Sequence, residues 1–471
     1  MKQFPLIDIA RRRFFIKSLL WMMLLTSPYS STLGQIMNNL PKNSSVPFIE
    51  PPMPDDFEGL TIFCNFAQSP NYQHTIWQCL LTQQPSTFMN EAVTGSIQWQ
   101  SNWIIPITTD GKLASVDSSN AFHNLVAAGK VSAIGTILAI NNQNEWVALP
   151  LAEPPSAYTD NHLFYFIRPS SSGPLEYDVN MIIKNNLSII GTWGMENKTW
   201  LISQRLPTRG IPFSSFILFD QTGNRINHYD LKEFHIRLGT IISRNGDIIH
   251  WGIPADHRRD KTLILCQSPD LKVITQATID HPPDQQLIGL ALPNDKVLLL
   301  RTEVKDNHPV LTGWIIHPEK DCQTQAWGTI LLPSHFDYQP IITWLKQAII
   351  LPTGEVVIFY TQQWDVRNID FERSPSREIT RASLWALKFN PLSQQIIWDR
   401  LVISSEDPAS EAFSINLTDN TIEPSMARDP GLSLAYLPNL DQIWINPTFP
   451  QDRERLKYFP YQPRIYRLDI K

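Results

Sequence analysis

Glycine is scarce in this chain, at 19 of 471 residues against 37 prolines; the usual shares are roughly 7% and 5%. Glycine-rich repeat architectures are therefore a poor fit. No apolar run reaches the ~20 residues a membrane-crossing helix needs. Neither a C-x-x-C, an H-x-x-x-H pair nor an Asp/Asn calcium loop is present to hold a metal, and the 11 histidines are scattered. The G-x-S-x-G elbow, the Walker loop and the dinucleotide fingerprint are missing as well. Long amphipathic helices are absent, and only Ser119 to Ala128, stopped by Gly129, reads as a short one. These absences leave no linear signature of catalysis and no catalytic residue to nominate.

What is there begins with the N-terminus. A basic stretch, a short apolar stretch from Leu19 to Leu25 and a small-residue exit at Thr32 and Gly34 form an export signal over residues 1–34. Arg12, Arg13, Phe14, Phe15, Ile16 and Lys17 resemble the twin-arginine signal, with Ile16 in place of the usual Leu and Arg11 where Ser or Thr is preferred. That resemblance implies export of a folded protein to the periplasm or beyond; an ordinary unfolded-chain signal is the alternative. Without the signal the net charge moves from −6 to −10, because five cations and one anion leave with it. Such a surface repels nucleic acid and anionic membrane.

Residues 35–58 hold five prolines and no apolar periodicity, which reads as an extended tether. From Gly59 to the end, short runs of Ile, Val, Leu and Trp alternate with Pro, Asn, Gly and Asp, the pattern of antiparallel strands joined by tight turns. "TIISRNGDIIHW" (240–251), "GLALPNDKVLLLR" (289–301), "AIILPTGEVVIFY" (348–360) and "LAYLPNLDQIWIN" (434–446) share one plan. Their turn residues tolerate the positive backbone angles of two-residue hairpins. The markers Asn197, Gly246, Asp295 and Gly354 stand 49, 49 and 59 residues apart, and a second pair of apolar segments follows each. Four strands per unit of 40 to 50 residues predict an all-β fold, a β-propeller over 59–471, with seven four-stranded blades favoured over six or eight. A large β-sandwich is the competing architecture.

The last strand, 464–471, stops one short of a blade, so the N-terminal side must close the ring, with "GLTIFCNFA" (59–67) as the expected donor. Cys64 and Cys79 flank a six-residue turn symmetrically and are the disulfide candidate if 60–67 and 74–82 instead form a simple hairpin. Cys266 and Cys322, in consecutive units, read as buried small apolar residues.

Two families bear comparison. "SLWALKFNPLSQQIIWDRLVI" (383–403) resembles the repeat of quinoprotein-type propellers at Leu384, Ala386, Leu387 and Trp398, and departs from it at Phe389 and Ser393, so no quinone ligand transfers. Ser268 to Thr275 is similar to the outer turn of sialidases at Ser268 and Asp270, with Lys272 and Thr275 where Gly and Trp are expected. Sialidases also imply three arginines gripping a carboxylate, for which Arg301, Arg367 and Arg400 are the nominees.

The candidate binding site is "TQQWDVRNIDFERSPSREITR" (361–381), a polar insertion between two strands of the sixth unit. It offers Trp364, Asp365, Arg367, Asp370, Glu372 and Arg373 on a loop carried by a rigid ring, where propellers usually meet ligands, and Trp and Arg are enriched at binding hot spots. Two functions follow. One is an exported, non-catalytic propeller binding a protein, peptide or glycan through its loop face. The other is an exported propeller enzyme, hydrolase or oxidoreductase, whose residues converge at the central channel. No cofactor or metal can be named.

Overall fold

The structure is a computed structural model, and it describes residues 46–51, 61–82, 99–113, 134–150, 162–169, 177–185, 188–195, 199–205, 214–258, 260–282, 287–335, 341–364, 383–404, 407, 432–447 and 463–471. The short apolar runs form strands that pair in seven antiparallel sheets, six of them built from consecutive segments and the seventh joining both ends of the chain. Blade 1 holds β2 (Thr61–Gln68), β3 (Thr75–Thr82) and β4 (Trp99–Ile107) among the described residues. Blade 2 holds β5 (Ile134–Ile140), β6 (Trp146–Pro150), β7 (His162–Pro169) and β8 (Tyr177–Asn185); blade 3 holds β9 (Ser188–Gly194), β10 (Trp200–Arg205), β11 (Ser214–Phe219) and β12 (Arg225–Asp230). Blade 4 comprises β13 (Phe234–Ile242), β14 (Ile248–Pro254), β15 (Thr262–Gln267) and β16 (Val273–Ile279). Blade 5 comprises β17 (Ile288–Ala291), β18 (Val297–Lys305), β19 (His308–His317) and β20 (Gln323–Leu331). Blade 6 is β21 (Ile341–Ile350), β22 (Val356–Trp364), β23 (Ser383–Phe389) and β24 (Ile396–Ile403). Blade 7 combines β25 (Leu432–Leu437), β26 (Gln442–Pro447) and β27 (Ile465–Asp469) with β1 (Phe48–Ile49) as its outer strand. The chain is a seven-bladed β-propeller.

A blade buries both faces only by stacking on its neighbours, and the cores lie at those junctions. Leu201, Phe216 and Leu218 of blade 3 pack with Phe234, Ile248 and Leu265 of blade 4. Tyr360 and Phe389 of blade 6 meet Leu298 and Trp327 of blade 5, and Val357 and Phe359 meet Tyr436 and Tyr466 of blade 7. Trp77 of blade 1 meets Trp444 of blade 7, which closes the circle.

Polar side chains bolt these apolar seams together. The Gln78 amide donates to Ile137 O (2.7 Å) and accepts from Ile137 N (2.9 Å), reproducing a strand pairing between blades 1 and 2. Gln68 does the same to Tyr436 at 2.7 and 3.0 Å. Thr302 donates to Thr343 O (3.1 Å) and accepts from Leu345 N (3.3 Å) between blades 5 and 6. Asn446 donates to Cys64 O (2.9 Å) and accepts from Trp77 Nε1 (3.0 Å). Each satisfies a buried backbone group that the inner strands would otherwise leave open.

Closure comes from the N-terminal side, but not from the expected strand. Thr61–Gln68 pairs with β3 as a simple hairpin, and Phe48–Ile49, inside the stretch read as tether, pairs with Tyr466 and Ile465. Arg467 N donates to Pro47 O at 2.8 Å, and the Arg464 guanidinium lies 4.5 Å from the Phe48 ring centre. A two-residue strand suffices because side chains on both sides hold it. The hairpin puts Cys64 opposite Cys79, and they are disulfide-bonded. Cys266 and Cys322 are bonded too, correcting the reading of them as unlinked core residues: the turn after β19 brings Cys322 to the end of β15, with Cα atoms 5.9 Å apart.

The described turns inside the first and second hairpins of the blades emerge on one face of the ring. Most are five-residue loops in which residue i donates to, and residue i+4 accepts, the closing bond, as in Ser243 N to Asp247 O (2.8 Å) and Leu351 N to Glu355 O (2.8 Å). The positive backbone angle falls only at the fourth residue, on Gly111, Asn144, Gly223, Gly246, Leu271, Asp295 and Gly354. This is the three-residue hairpin loop with a left-handed bulge residue, not the two-residue turn the sequence suggested. The other face carries the second-to-third-strand and blade-to-blade connections. Ser119 to Ala128 lies outside the described residues.

Candidate functional site

The insertion leaves blade 6 on the loop face, between β22 and β23. Trp364 is the last residue of β22 and pairs in register with Ile341. Asp365, Arg367, Asp370, Glu372 and Arg373 lie outside the described residues, as do Arg12, Arg13, Phe15 and Lys17.

The base of the insertion is built by residues that the sequence did not single out. Gln362, fully buried, donates to Pro333 O (2.8 Å) and accepts from His335 N (3.1 Å), so it grips the connection arriving from blade 5. The His335 ring lies flat on Trp385, with 3.3 Å between centroids. Its Nε2 sits 3.1 Å from Tyr360 Oη and 3.0 Å from Asp399 Oδ2, and Tyr360 Oη donates to Asp399 Oδ1 at 2.8 Å. Burial first, then the Asp399 charge and hydrogen bond, raise the Tyr360 hydroxyl well above its ordinary range. Tyr360 therefore stays a phenol, a donor rather than a base or nucleophile, and the trio acts as a latch. Blade 5 repeats the device with His281, which faces Arg301 Nη1 (3.0 Å) and Trp314 (5.4 Å between centroids), while Arg301 also pairs with Glu303.

The arginines nominated for a carboxylate clamp are not brought together. Arg301 is committed to the blade 5 latch. Arg400, on the outer strand of blade 6, stacks over Trp398 (4.6 Å) and donates to Asp469 O and Lys471 O, both at 2.8 Å. Arg367 lies outside the described residues. The sialidase-like turn, Ser268 to Lys272, joins β15 to β16 and sets Leu271 at φ 67°, where a glycine would be at ease.

One ionisable residue on the inner wall went unread. β21 is the innermost strand of blade 6, and its register steps from Leu345 opposite Tyr360 to Gln347 opposite Phe359. Lys346 is thus the extra residue of a bulge. Its only sequence signal is a single charge within the apolar run "IITWLKQAIILP" (341–352).

Among the described residues, no group of three or more His, Cys, Asp or Glu is placed to hold a metal ion, and no helix is long and apolar enough to cross a membrane. No protein-family model matches the chain, and no curated protein matches it. Solved structures are similar to it only weakly and at low identity. A protein of unknown function from Dyadobacter fermentans is 11% identical, with 68% of this chain and 94% of that one covered and a TM-score of 0.37. Sqt1 from Chaetomium thermophilum is 7% identical over 76% of this chain and 89% of its own, with a TM-score of 0.36. The β-propeller domain of the Trilobed protease from Pyrococcus furiosus is 8% identical over 60% and 69%, with a TM-score of 0.31. The seven-bladed architecture is read from strand pairing and not from these likenesses.

Proposed function

We propose that this chain is an exported, non-catalytic propeller that binds a protein, peptide or glycan through its loop face. The observation that carries the reading is the asymmetry of the ring: the described turns of one face are short, most of them five-residue loops, while the other face bears the insertion 365–382 on a base held by Gln362 and the His335 latch. Rigid scaffolds that vary one rim only are arranged for recognition. The negative charge of the exported part favours a neutral or cationic partner.

The test replaces residues 366–381 by Asn-Gly and screens both forms on glycan and peptide arrays. The expected result is an unchanged melting temperature with loss of the ligands that the parent retains. Equal binding by the shortened form would overturn the loop-face reading. For export, Arg12→Lys with Arg13→Lys should keep the protein in the cytoplasm, because the twin-arginine route reads the guanidinium pair; unaltered secretion would assign the ordinary route.

A further inference from the structure

Each blade presents its fourth strand at the rim of the ring, where one row of main-chain N–H and C=O groups has no further strand to pair with. Folded proteins blunt such edges with charge, proline or a cover. Among the described outer strands of more than two residues, β8 carries Asp178 and Lys184, β12 carries Arg225 and Asp230, and β24 carries Asp399 and Arg400. β20 is uncharged, but the outer turn of blade 6 reaches over it: Gln394 donates to Trp327 O, and Trp327 Nε1 donates to Pro391 O at 2.6 Å. β16 has neither device. Its sequence, VITQATI, holds no charge and no proline, and Val273, Ile274, Gln276 and Thr278 are exposed. Among the described residues its main chain is hydrogen-bonded to β15 alone. The strand behind it is fixed, because Cys266, opposite Thr275, is disulfide-bonded to Cys322 of blade 5.

Charge stands only at the two ends of this edge, and with opposite signs. Lys272 precedes the strand and Asp280 follows it, both well exposed, paired with Asp270 (2.7 Å) and Lys261 (2.8 Å) of their own chain. A second copy laid antiparallel about Gln276 sets Lys272 against Asp280, Val273 against Ile279, Ile274 against Thr278 and Thr275 against Ala277, in both directions. Only this register brings both end charges onto their opposites at once, and it places β-branched side chains across from one another between them. Exported chains of net charge −10 repel each other at long range, and an uncharged edge with complementary ends is where that repulsion is least.

We propose that the rim of blade 4 is a self-association surface, on which β16 pairs antiparallel with β16 of a second copy about a two-fold axis at Gln276. The contact is isologous, and it extends one sheet through both rings. Antiparallel pairing turns the two rings upside down relative to one another, so their insertion-bearing faces point in opposite directions and both stay free. The inference goes beyond the loop-face reading and does not rest on it.

Sedimentation velocity on the exported protein should show monomer passing to dimer between about 1 and about 100 μM, the range of a small interface. Ile274→Lys puts a charge on the exposed side of the strand and should weaken the dimer at least about tenfold. Lys272→Glu and Asp280→Lys should each weaken it too, since either sets like charges opposite one another, whereas the two together should restore it to within about threefold of the parent. That rescue separates a contact between copies from a structural role within one chain. The insertion-shortened form should dimerise as the parent does. A parent that stays monomeric throughout that range, a dimer indifferent to Ile274→Lys, or a charge swap no better than its single changes would each overturn the pairing.

Discussion

Blades 4 and 6 each bury a basic side chain, and they treat it in opposite ways. In blade 4, Arg237 Nη1 donates to Thr240 Oγ1 (2.7 Å), Thr240 meets His250 Nδ1 (2.8 Å), His250 Nε2 meets Gln267 Oε1 (2.9 Å), and Gln267 donates to Leu271 O (3.3 Å). The direction of this chain assigns the proton of a neutral imidazole to Nε2. Burial, with Arg237 adding to it against the Gln267 hydrogen bond, pushes His250 down to about 3. Each polar side chain of that network is bonded to the next. Lys346 in blade 6 has no such chain. The His250 imidazole is thus held at both ring nitrogens, whereas the Lys346 ammonium has no partner among the described residues.

The largest expected effect comes from copying the blade 6 arrangement into blade 4. Leu238→Lys places an ammonium at the equivalent bulge, one residue from Arg237. It should cost roughly 3 kcal/mol in urea unfolding at neutral pH, because no carboxylate among the described residues is paired with this position. A cost below about 1 kcal/mol would mean that the bulge of either blade accepts a cation, and the contrast between the two would vanish.

The reverse substitution is smaller and opposite in sign. Lys346→Leu removes the unpaired charge and should stabilise the protein by about 2 kcal/mol near pH 7. The folded-state pKa, about 8, lies below the unfolded value, so between pH 8 and 10.5 the unfolded chain holds more protons. Parent stability must then rise with pH across that window, and the advantage of Lys346→Leu must fade. A pH-independent gain would trace it to packing instead.

His250 yields the third effect. With its folded pKa depressed to about 3, the stability it contributes is complete above the unfolded value of 6.5 and is lost as pH falls below it. Between pH 8 and 5.5 the loss should be about 1.4 kcal/mol. His250→Gln should flatten that slope, and an equally steep slope in the variant would assign acid sensitivity to other groups.

The contrast between the two blades also marks what the sequence makes legible. The hairpins at 240–251 and 348–360 are visible because alternating runs and a turn residue are local signals, and their spacing carries the propeller. The bulges at Leu238 and Lys346 are not visible, because an extra residue in an apolar run changes register without changing pattern. The Cys266–Cys322 bond depends on how blade 5 docks on blade 4, which no local signal encodes. Phe48 and Ile49 were hidden by the prolines around them, since two residues show no period. The insertion was legible as a polar excursion, but its base was not: Gln362, His335 and Asp399 are assembled from three separate segments.

The smallest effect lies where the two blades agree. Gly246 (φ +92°) and Gly354 (φ +86°) occupy the fourth position of the first hairpin turn in blades 4 and 6, so an added Cβ costs about 1–2 kcal/mol at either site through backbone strain alone. Their surroundings differ. A Cβ on Gly246 would stand 3.1 Å from Pro269 Cγ, a rigid ring in the neighbouring turn of the same blade, whereas on Gly354 it would meet only Pro293 Cγ of blade 5, at 3.5 Å. Gly246→Ala should therefore exceed Gly354→Ala by about 0.5 kcal/mol in paired urea unfolding curves. Equal costs would show that Pro269 yields, and that the turn face is softer than its repeated hydrogen bonding implies.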